Sequence, residues 1–408
     1  MSGLSPRGQA LFDGFQKVAP GAADYFRPWT FDVPLAIRKE TSDRLRRVQQ
    51  LYLKCIRRFA EHYDRYRDLM PVPDRVAEIL ALCRRKPYRP GTYRTDFVID
   101  ESNRARLIET TCRFAMNGYF TSGFFVHNLA DRWLAGRPAI RKIDEYTAFY
   151  ERYMDSFGPF DHVCLLKGAD ERNDTKFVIP VFEAAGFPVR IIRTAEVPAR
   201  AGEFAGAAVL GELSHEELCG LPTETIKAII DADSMNDLRT VFLFHDKRFF
   251  ALLYHDAFAR EALTAAELDE LRACVVPTYT KRLNPELWPR ARDDKDRWII
   301  KPHNMGKSID VHAGCVTDPA EWRALFDSGR ADRMVLQEYV PQRRFRGTIG
   351  DKACHDYVVG TLLFFEDGYF GPGLCRASSF PVTNKVDDRK VAPLVTDDLS
   401  AFEADNVI

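Results

Sequence analysis

Thr92-Tyr93-Arg94-Thr95-Asp96-Phe97-Val98-Ile99, the turn-rich Asp100-Glu101-Ser102-Asn103, and the run Arg104-Ala-Arg-Leu-Ile-Glu-Thr-Thr111 decide how the chain is read. Two stretches rich in β-branched and apolar residues flank a tetrapeptide of turn formers, which predicts a hairpin with a four-residue loop. If Ile99 faces Arg104, Arg94 opposes Glu109 and Asp96 opposes Leu107. Side chains alternate faces along a strand, so Arg94, Asp96, Glu109 and Thr111 share one side, with the two carboxylates as diagonal neighbours. Two carboxylates, a hydroxyl and a guanidinium suit Mg²⁺ carried on phosphates, because that ion takes few protein carboxylates and completes its shell with phosphate oxygens and water. The same pattern also describes an exposed strand face with an ordinary Arg-Glu ion pair, and a one-residue slip in register would scatter the group.

Around the hairpin lies a chain of 408 residues. At roughly 150 residues per domain this predicts two or three packed units. Lys and Arg number 58 against 59 Asp and Glu, a formal charge of −1, so no global basic surplus draws nucleic acid or an anionic membrane. The opening residues lack the apolar core of a secretory signal and no apolar run is long enough to span a bilayer, so a cytoplasmic protein is expected. Nine scattered cysteines without a CxxC pair argue against a disulfide framework or structural zinc; they read as reduced packing residues.

Leu45, Val48, Tyr52, Ile56, Phe59 and Tyr63 recur at helical spacing, predicting a long amphipathic helix that ends near Met70-Pro71. Its arginines are interleaved with acids and read as a solvated face. A shorter helix is expected from Asp74 to Arg85. From His162 the pattern becomes strand, helix (Asn173 to Ala185), strand (VRII), with AAVLG (207 to 211) and TVFLF (240 to 244) as further strands of a mostly parallel layer. Thr264 to Glu267 is a capping box. RWIIK (297 to 301), IDVHAG, MVLQEYV (334 to 340) and YVVGTLLFF (357 to 365) read as strands, and the last twelve residues as a weakly ordered tail.

Lys301 ends an apolar strand before the small-residue loop Pro302-His-Asn-Met-Gly-Lys-Ser308, and Lys247 follows TVFLF. Either could reach phosphate oxygens, but taken alone each reads first as a solvated strand end. The loop is no P-loop, lacking the upstream glycine and leading into a strand. Arg376, after the glycine-rich turn Gly371-Pro-Gly-Leu-Cys-Arg, reads as a phosphate clamp or a surface residue.

Taken in order, R-x-D-F (94 to 97), I-E-T-T (108 to 111), H-D-K (245 to 247), I-I-K-P-H-N-M-G-K-S (299 to 308), L-Q-E-Y-V (336 to 340) and G-x-G-x-x-R (371 to 376) resemble circularly permuted ATP-grasp proteins of the glutathionylspermidine-synthetase type. The permutation shows in the metal-ligand strands preceding the nucleotide lysines. The resemblance implies an α/β (α+β), ATP-grasp-like fold with a helical N-terminal region and a parallel α/β layer. It implies ATP and Mg²⁺, with Asp96 and Glu109 as metal ligands and Lys247 and Lys301 on nucleotide phosphates. Arg94 and Arg376 would act at the transferred phosphate, Gly306, Lys307 and Ser308 in a lid over 303 to 308, and Gln337, Glu338, Tyr339 and Val340 around adenine. The family places asparagine where this chain has Thr111, a hydroxyl able to ligate Mg²⁺ or hold its water. No Cys-His amidase part accompanies the synthetase-like half.

Boundaries are expected at 1–90 (helical), 91–159 (hairpin and connecting helices), 160–245 (α/β layer), 246–340 (nucleotide-binding lid) and 341–408 (remainder of the core). The implied activity is a carboxylate-amine ligase forming an amide through an acyl phosphate. Its partners would be small amino-acid or peptide substrates, with neither nucleic acid nor membrane. Arg113, Asn117 and Lys167 are candidates for holding a substrate carboxylate, although a structural role for Arg113 and Lys167 fits equally. A phosphotransferase on the same ATP site and a non-catalytic nucleotide- or partner-binding protein remain as alternatives. The sequence does not specify the oligomeric state.

Overall fold

The apolar stripe that begins at Leu45 does form a helix, Lys39–Glu61, whose Leu45, Val48, Tyr52, Ile56 and Phe59 are all buried. Arg47, Lys54 and Arg58 lie on its outer side, paired with Glu270, Glu267 and Glu261, which makes the basic run a solvated face as expected. The structure, a computed structural model, describes residues 4–170, 173–232 and 234–408. Of the opening stretch, Met1 to Gly3 lie outside the described residues, and a helix whose bounds the sequence reading does not give, Pro6–Phe26, follows. No helix among the described residues is long and apolar enough to cross a membrane.

The strands in chain order are β1 (Leu35–Ile37), β2 (Thr92–Ile99), β3 (Ala105–Thr111), β4 (His162–Lys167), β5 (Val189–Arg193), β6 (Ala207–Glu212), β7 (Thr278–Thr280) and β8 (Trp298–Pro302), followed by β9 (His312–Ala313), β10 (Met334–Glu338), β11 (Arg344–Ile349), β12 (Lys352–Phe365), β13 (Gly368–Ser378), β14 (Arg389–Val391) and β15 (Pro393–Val395). A six-stranded antiparallel sheet runs β14-β13-β12-β2-β3, with β11 pairing the first part of β12 on the edge that β2 takes farther along. Beside it stand an antiparallel sheet, β7-β10-β8-β9, and a parallel one, β5-β4-β6. The result is a mixed α+β architecture, with the sequence-distant β2-β3 hairpin and β12-β13 hairpin sharing one sheet.

Each sheet has its own packing. The Lys39–Glu61 helix covers the large sheet, where the Tyr52 hydroxyl accepts from Thr110 of β3 at 3.1 Å; the Tyr52 ring packs against Phe249 and Phe250 of the helix Arg248–Leu252. The Pro6–Phe26 helix joins Asn173–Ala184 and an aromatic group around Phe149 and Tyr153 over the parallel sheet. Trp288, Trp298 and Trp322 form a third core beneath the small antiparallel sheet.

Several expectations need correction. TVFLF is a π-helical segment, Thr240–Phe244, buried against Phe59 and Phe249. A short, wholly apolar run carries no periodicity to tell a buried strand from a buried helix. Lys247 therefore follows a helical turn, and the parallel layer has three strands. Gly371 to Arg376 is the middle of β13, not a turn: Arg376 pairs with Val359 and Gly373 with Thr361, across an irregularity in register. Of IDVHAG only His312–Ala313 is strand. The C-terminal residues are fixed: Ile408 is buried and its amide donates to the Ala36 carbonyl at 2.9 Å.

Candidate functional site

The predicted hairpin forms, but its register differs from the one expected. Ile99 pairs with Ala105 and Phe97 with Leu107; beyond that a bulge intervenes, and Asp96 pairs with Glu109 and Arg94 with Thr111. Without the bulge, Asp96 would face Ile108 and Glu109 would lie on the other side. The extra residue, Ile108, restores the alternation, so the four polar residues still share a face and the two carboxylates stand directly opposite. The bulge also leaves the Ile108 carbonyl without a partner in the ladder. That oxygen accepts from Lys301 Nζ at 3.2 Å and Gln337 Nε2 at 3.0 Å, which seats β8 and β10 over the hairpin.

Cations surround both carboxylates. Asp96, 1% exposed, takes Arg376 Nη2 at 2.6 Å and Arg94 Nε at 3.1 Å. Glu109 Oε2 lies 3.2 Å from Lys301 Nζ and 3.9 Å from Lys247 Nζ. Burial pushes the Glu109 carboxyl up, but the ammonium groups of Lys247 and Lys301 outweigh it and hold the group at about 2. Burial also lowers Lys301, against the pull of Glu109. Arg94 reaches its place through Gly118: at φ +82° this residue adopts a backbone suited to glycine, and a Cβ there would sit 2.7 Å from the Arg94 guanidinium.

These residues wall a first cavity of about 760 Å³ including its mouth. Asp96, Glu109, Lys247, Lys301 and Arg376 line one end, Gln337 to Val340 another, and Val98, Ile299 and Val359 supply an apolar wall. Of these, the apolar wall was not anticipated; the alternation of Val98 with Asp96 along β2 was the available signal. Met305 to Ser308 cover the cavity. The cover is tied down by Lys247 Nζ donating to the Met305 carbonyl at 2.6 Å and by Ser308 Oγ donating to the Thr383 carbonyl at 2.6 Å. Lys307 and Ser308 both have left-handed backbones, φ 56° and 55°. Lys307 Nζ reaches Asp170 at 2.7 Å.

The donor set suits a Mg²⁺ ion that brings phosphate oxygens with it: two opposed carboxylates at the cationic end of a cavity, both hard oxygen donors. Among the described residues no group of three or more His, Cys, Asp or Glu gathers as a self-sufficient metal site. Thr111 stands opposite Arg94, two residues beyond Glu109, and is not part of the cavity wall.

A second cavity, about 910 Å³ including its mouth, opens next to the first and shares Arg376 and Lys307 with it. Asn117 lines it, while Arg113 and Lys167 do not. Arg113 pairs with Asp170 at 3.1 Å, and Lys167 Nζ donates to the Gly168 carbonyl at 3.2 Å, so both side chains serve the 167–170 turn.

Compared with known proteins, the chain matches a family model described as the AnkG N-terminal domain over residues 48–243, a little under half its length. No curated protein matches. Among solved structures it is similar to a glutathione synthetase-like effector from Globodera pallida in its apo form. The TM-score is 0.58 at 11% identity, with 93% of this chain and 96% of that one covered. At that identity the likeness is one of fold: the chain has a glutathione synthetase-like fold, compatible with the ATP-grasp class.

Proposed function

We propose that the chain is an ATP-dependent carboxylate-amine ligase of the ATP-grasp type, acting on amino acids or short peptides and releasing ADP and phosphate. The observation that carries this reading is the charge balance at the shared end of the two cavities. Arg94, Lys247, Lys301 and Arg376 surround only Asp96 and Glu109, a local excess of positive charge suited to a polyphosphate terminus. The glutathione synthetase-like fold supports the same class.

Asp96 and Glu109 would hold Mg²⁺, which when bound neutralises charge on the β- and γ-phosphates. Lys247 and Lys301 orient phosphate oxygens, and Arg94 and Arg376 stabilise the phosphoryl group at the boundary between the cavities. A donor carboxylate oxygen in the second cavity bonds to the γ-phosphorus as the γ-phosphorus to bridging-oxygen bond breaks, and ADP leaves with the electron pair. An amine nitrogen then bonds to the acyl carbon, the carbon to phosphate-oxygen bond breaks, and phosphate leaves carrying the amine proton. Water would consume the acyl phosphate, and the tied cover over 305–308 excludes it.

The test is nucleotide release from the purified chain with ATP, Mg²⁺ and single or paired amino acids, with products read by mass. ADP and an amide are expected, and hydroxylamine should trap a hydroxamate of the donor when the amine is withheld. AMP with pyrophosphate refutes the reading. ADP with neither hydroxamate nor amide favours a phosphotransferase, and ATP binding without ADP release from any pair favours a non-catalytic binder.

A further inference from the structure

The two cavities are successive portions of one sheet face. Moving by two residues along each strand leads from Val98 and Asp96 to Arg94 on β2, from Val359 to Thr361 on β12, and from Arg376 to Leu374 on β13. Period two keeps side chains on one side, so whatever occupies the second cavity lies in line with the occupant of the first and meets it at Arg376. The charged groups of the second wall are unevenly distributed. Arg94, Arg376, Lys307 and Lys390 present cations, whereas Glu212 is its one acid; the acids these cations pair with, Asp96, Asp170 and Asp388, are not part of this wall. Lys390 is buried and reaches the site from β14, at the opposite edge of the sheet from the hairpin.

The acceptors are gathered elsewhere on the same wall. Glu212 ends β6 and accepts from the Met116 amide at 3.0 Å, which places it beside Asn117. Asn117 uses its amide nitrogen on Thr92, while its side-chain oxygen, buried, has no hydrogen-bond partner. An ammonium group brought to this corner would meet a carboxylate and an amide oxygen that still requires a donor. Phe26, from the Pro6–Phe26 helix, and Phe114 supply apolar wall.

Resting on the ligase reading above, we infer that the second cavity binds the carboxylate donor as an acidic, amine-bearing molecule of the dicarboxylic amino acid class. One carboxylate lies at Arg94 and Arg376, where phosphoryl transfer would occur, the second at Lys390, and the ammonium group at Glu212 and Asn117. A polyamine would meet four cations on this wall against the single carboxylate of Glu212. Lys390 spends two of its three ammonium hydrogens on Asp388, one on the carboxylate and one on the carbonyl, and a neutral amino acid leaves the third without a carboxylate. Lys390 lines only the second cavity, so its effect is separable from that on nucleotide.

The test is calorimetric titration of the full chain with four probes: L-glutamate, glutarate, L-glutamine and 1,4-diaminobutane, each with and without Mg²⁺-ADP. Glutamate should bind at least tenfold tighter than each of the other three, and Lys390→Met should remove at least tenfold of glutamate affinity while leaving Mg²⁺-ADP affinity within twofold. Glutarate binding as tightly as glutamate overturns the ammonium corner, and glutamine or the diamine binding as tightly overturns the acidic class. Should Lys390→Met fail to fold, the probe series on the unaltered protein still decides. Mg²⁺-ADP binding without glutamate binding sinks this inference alone. Glutamate binding with no nucleotide binding upholds the cavity's chemistry and sinks the ligase reading instead.

Discussion

Replacing Glu109 with glutamine removes one charge at nearly constant shape and leaves two buried ammonium groups, Lys247 and Lys301, without their shared carboxylate. An ordinary glutamate titrates at 4.5 and this one is held at about 2. At about 1.4 kcal/mol per tenfold, the difference makes the ionised group worth about 3 kcal/mol at neutral pH. The side chain is 24% exposed, so screening by water trims this to about 2 to 3 kcal/mol. For 408 residues, an unfolding entropy of about 2 cal/mol/K per residue converts the loss into a fall in Tm of about 3 °C. The sign with pH is fixed. A carboxyl depressed on folding stabilises the fold above its unfolded value of 4.5 and loses that contribution as pH falls through about 2, so the gap between the two proteins should shrink to roughly half by pH 3. The variant also gains a positive charge in the cavity, so inorganic tripolyphosphate without Mg²⁺ should bind it severalfold tighter than it binds the unaltered protein. Thermal melts at pH 7 and pH 3 and calorimetry with tripolyphosphate check these points. An unchanged melting temperature at pH 7, a gap undiminished at pH 3, or weaker Mg²⁺-free tripolyphosphate binding would refute the reasoning.

Lys301→Met should abolish the thermal stabilisation that Mg²⁺-ADP gives, because a buried cation within 3.2 Å of Glu109 is lost from the phosphate end; an undiminished shift on melting counts against its assignment. Gly360→Ala should destabilise by about 1 to 3 kcal/mol, since the added methyl would stand 2.2 Å from the buried Phe97 ring. Phe97→Leu in the same chain should recover much of this in a denaturant titration. His127, His215 and His303 are each pushed by burial from 6.5 to about 4, so the unfolded chain binds protons first. Stability, full above pH 6.5, should fall as pH drops toward 4, by up to about 3 kcal/mol per residue, and His127→Phe should flatten that slope in acid melts. Limited proteolysis should cut 303–308 faster in Ser308→Ala, which loses the 2.6 Å tie to Thr383; equal rates would show that the tie does not hold the cover.

Much of the architecture was legible because its signals are local. Apolar spacing from Leu45 specified a helix, Thr264 to Glu267 specified a cap that forms with both bonds in place, and the strands β2, β3, β4 and β8 fall where alternation and β-branched runs put them. The π-helical Thr240–Phe244 was not legible, because its five buried apolar residues read alike for strand and helix. The region 1–90 reads as helical, but the bounds of its first helix, Pro6–Phe26, do not, although Ser5 caps it with its own side chain.

By itself the sequence determined that a hairpin brings Arg94 and Asp96 on one strand against Glu109 and Thr111 on the next, and that lysines at 247 and 301 stand beside apolar runs; that all four share a face rests on the bulge. Period-two alternation and turn chemistry act over a few residues and need no partner. Only the tertiary structure decided the register that sets Asp96 against Glu109, because it depends on a bulge whose freed Ile108 carbonyl is satisfied by Lys301 and Gln337, 193 and 229 residues away. A buried carbonyl must find a donor somewhere. Which donor it finds depends on how the sheets close over one another, as does the arrival of Lys390, Glu212 and Phe26 at a single cavity from three distant parts of the chain.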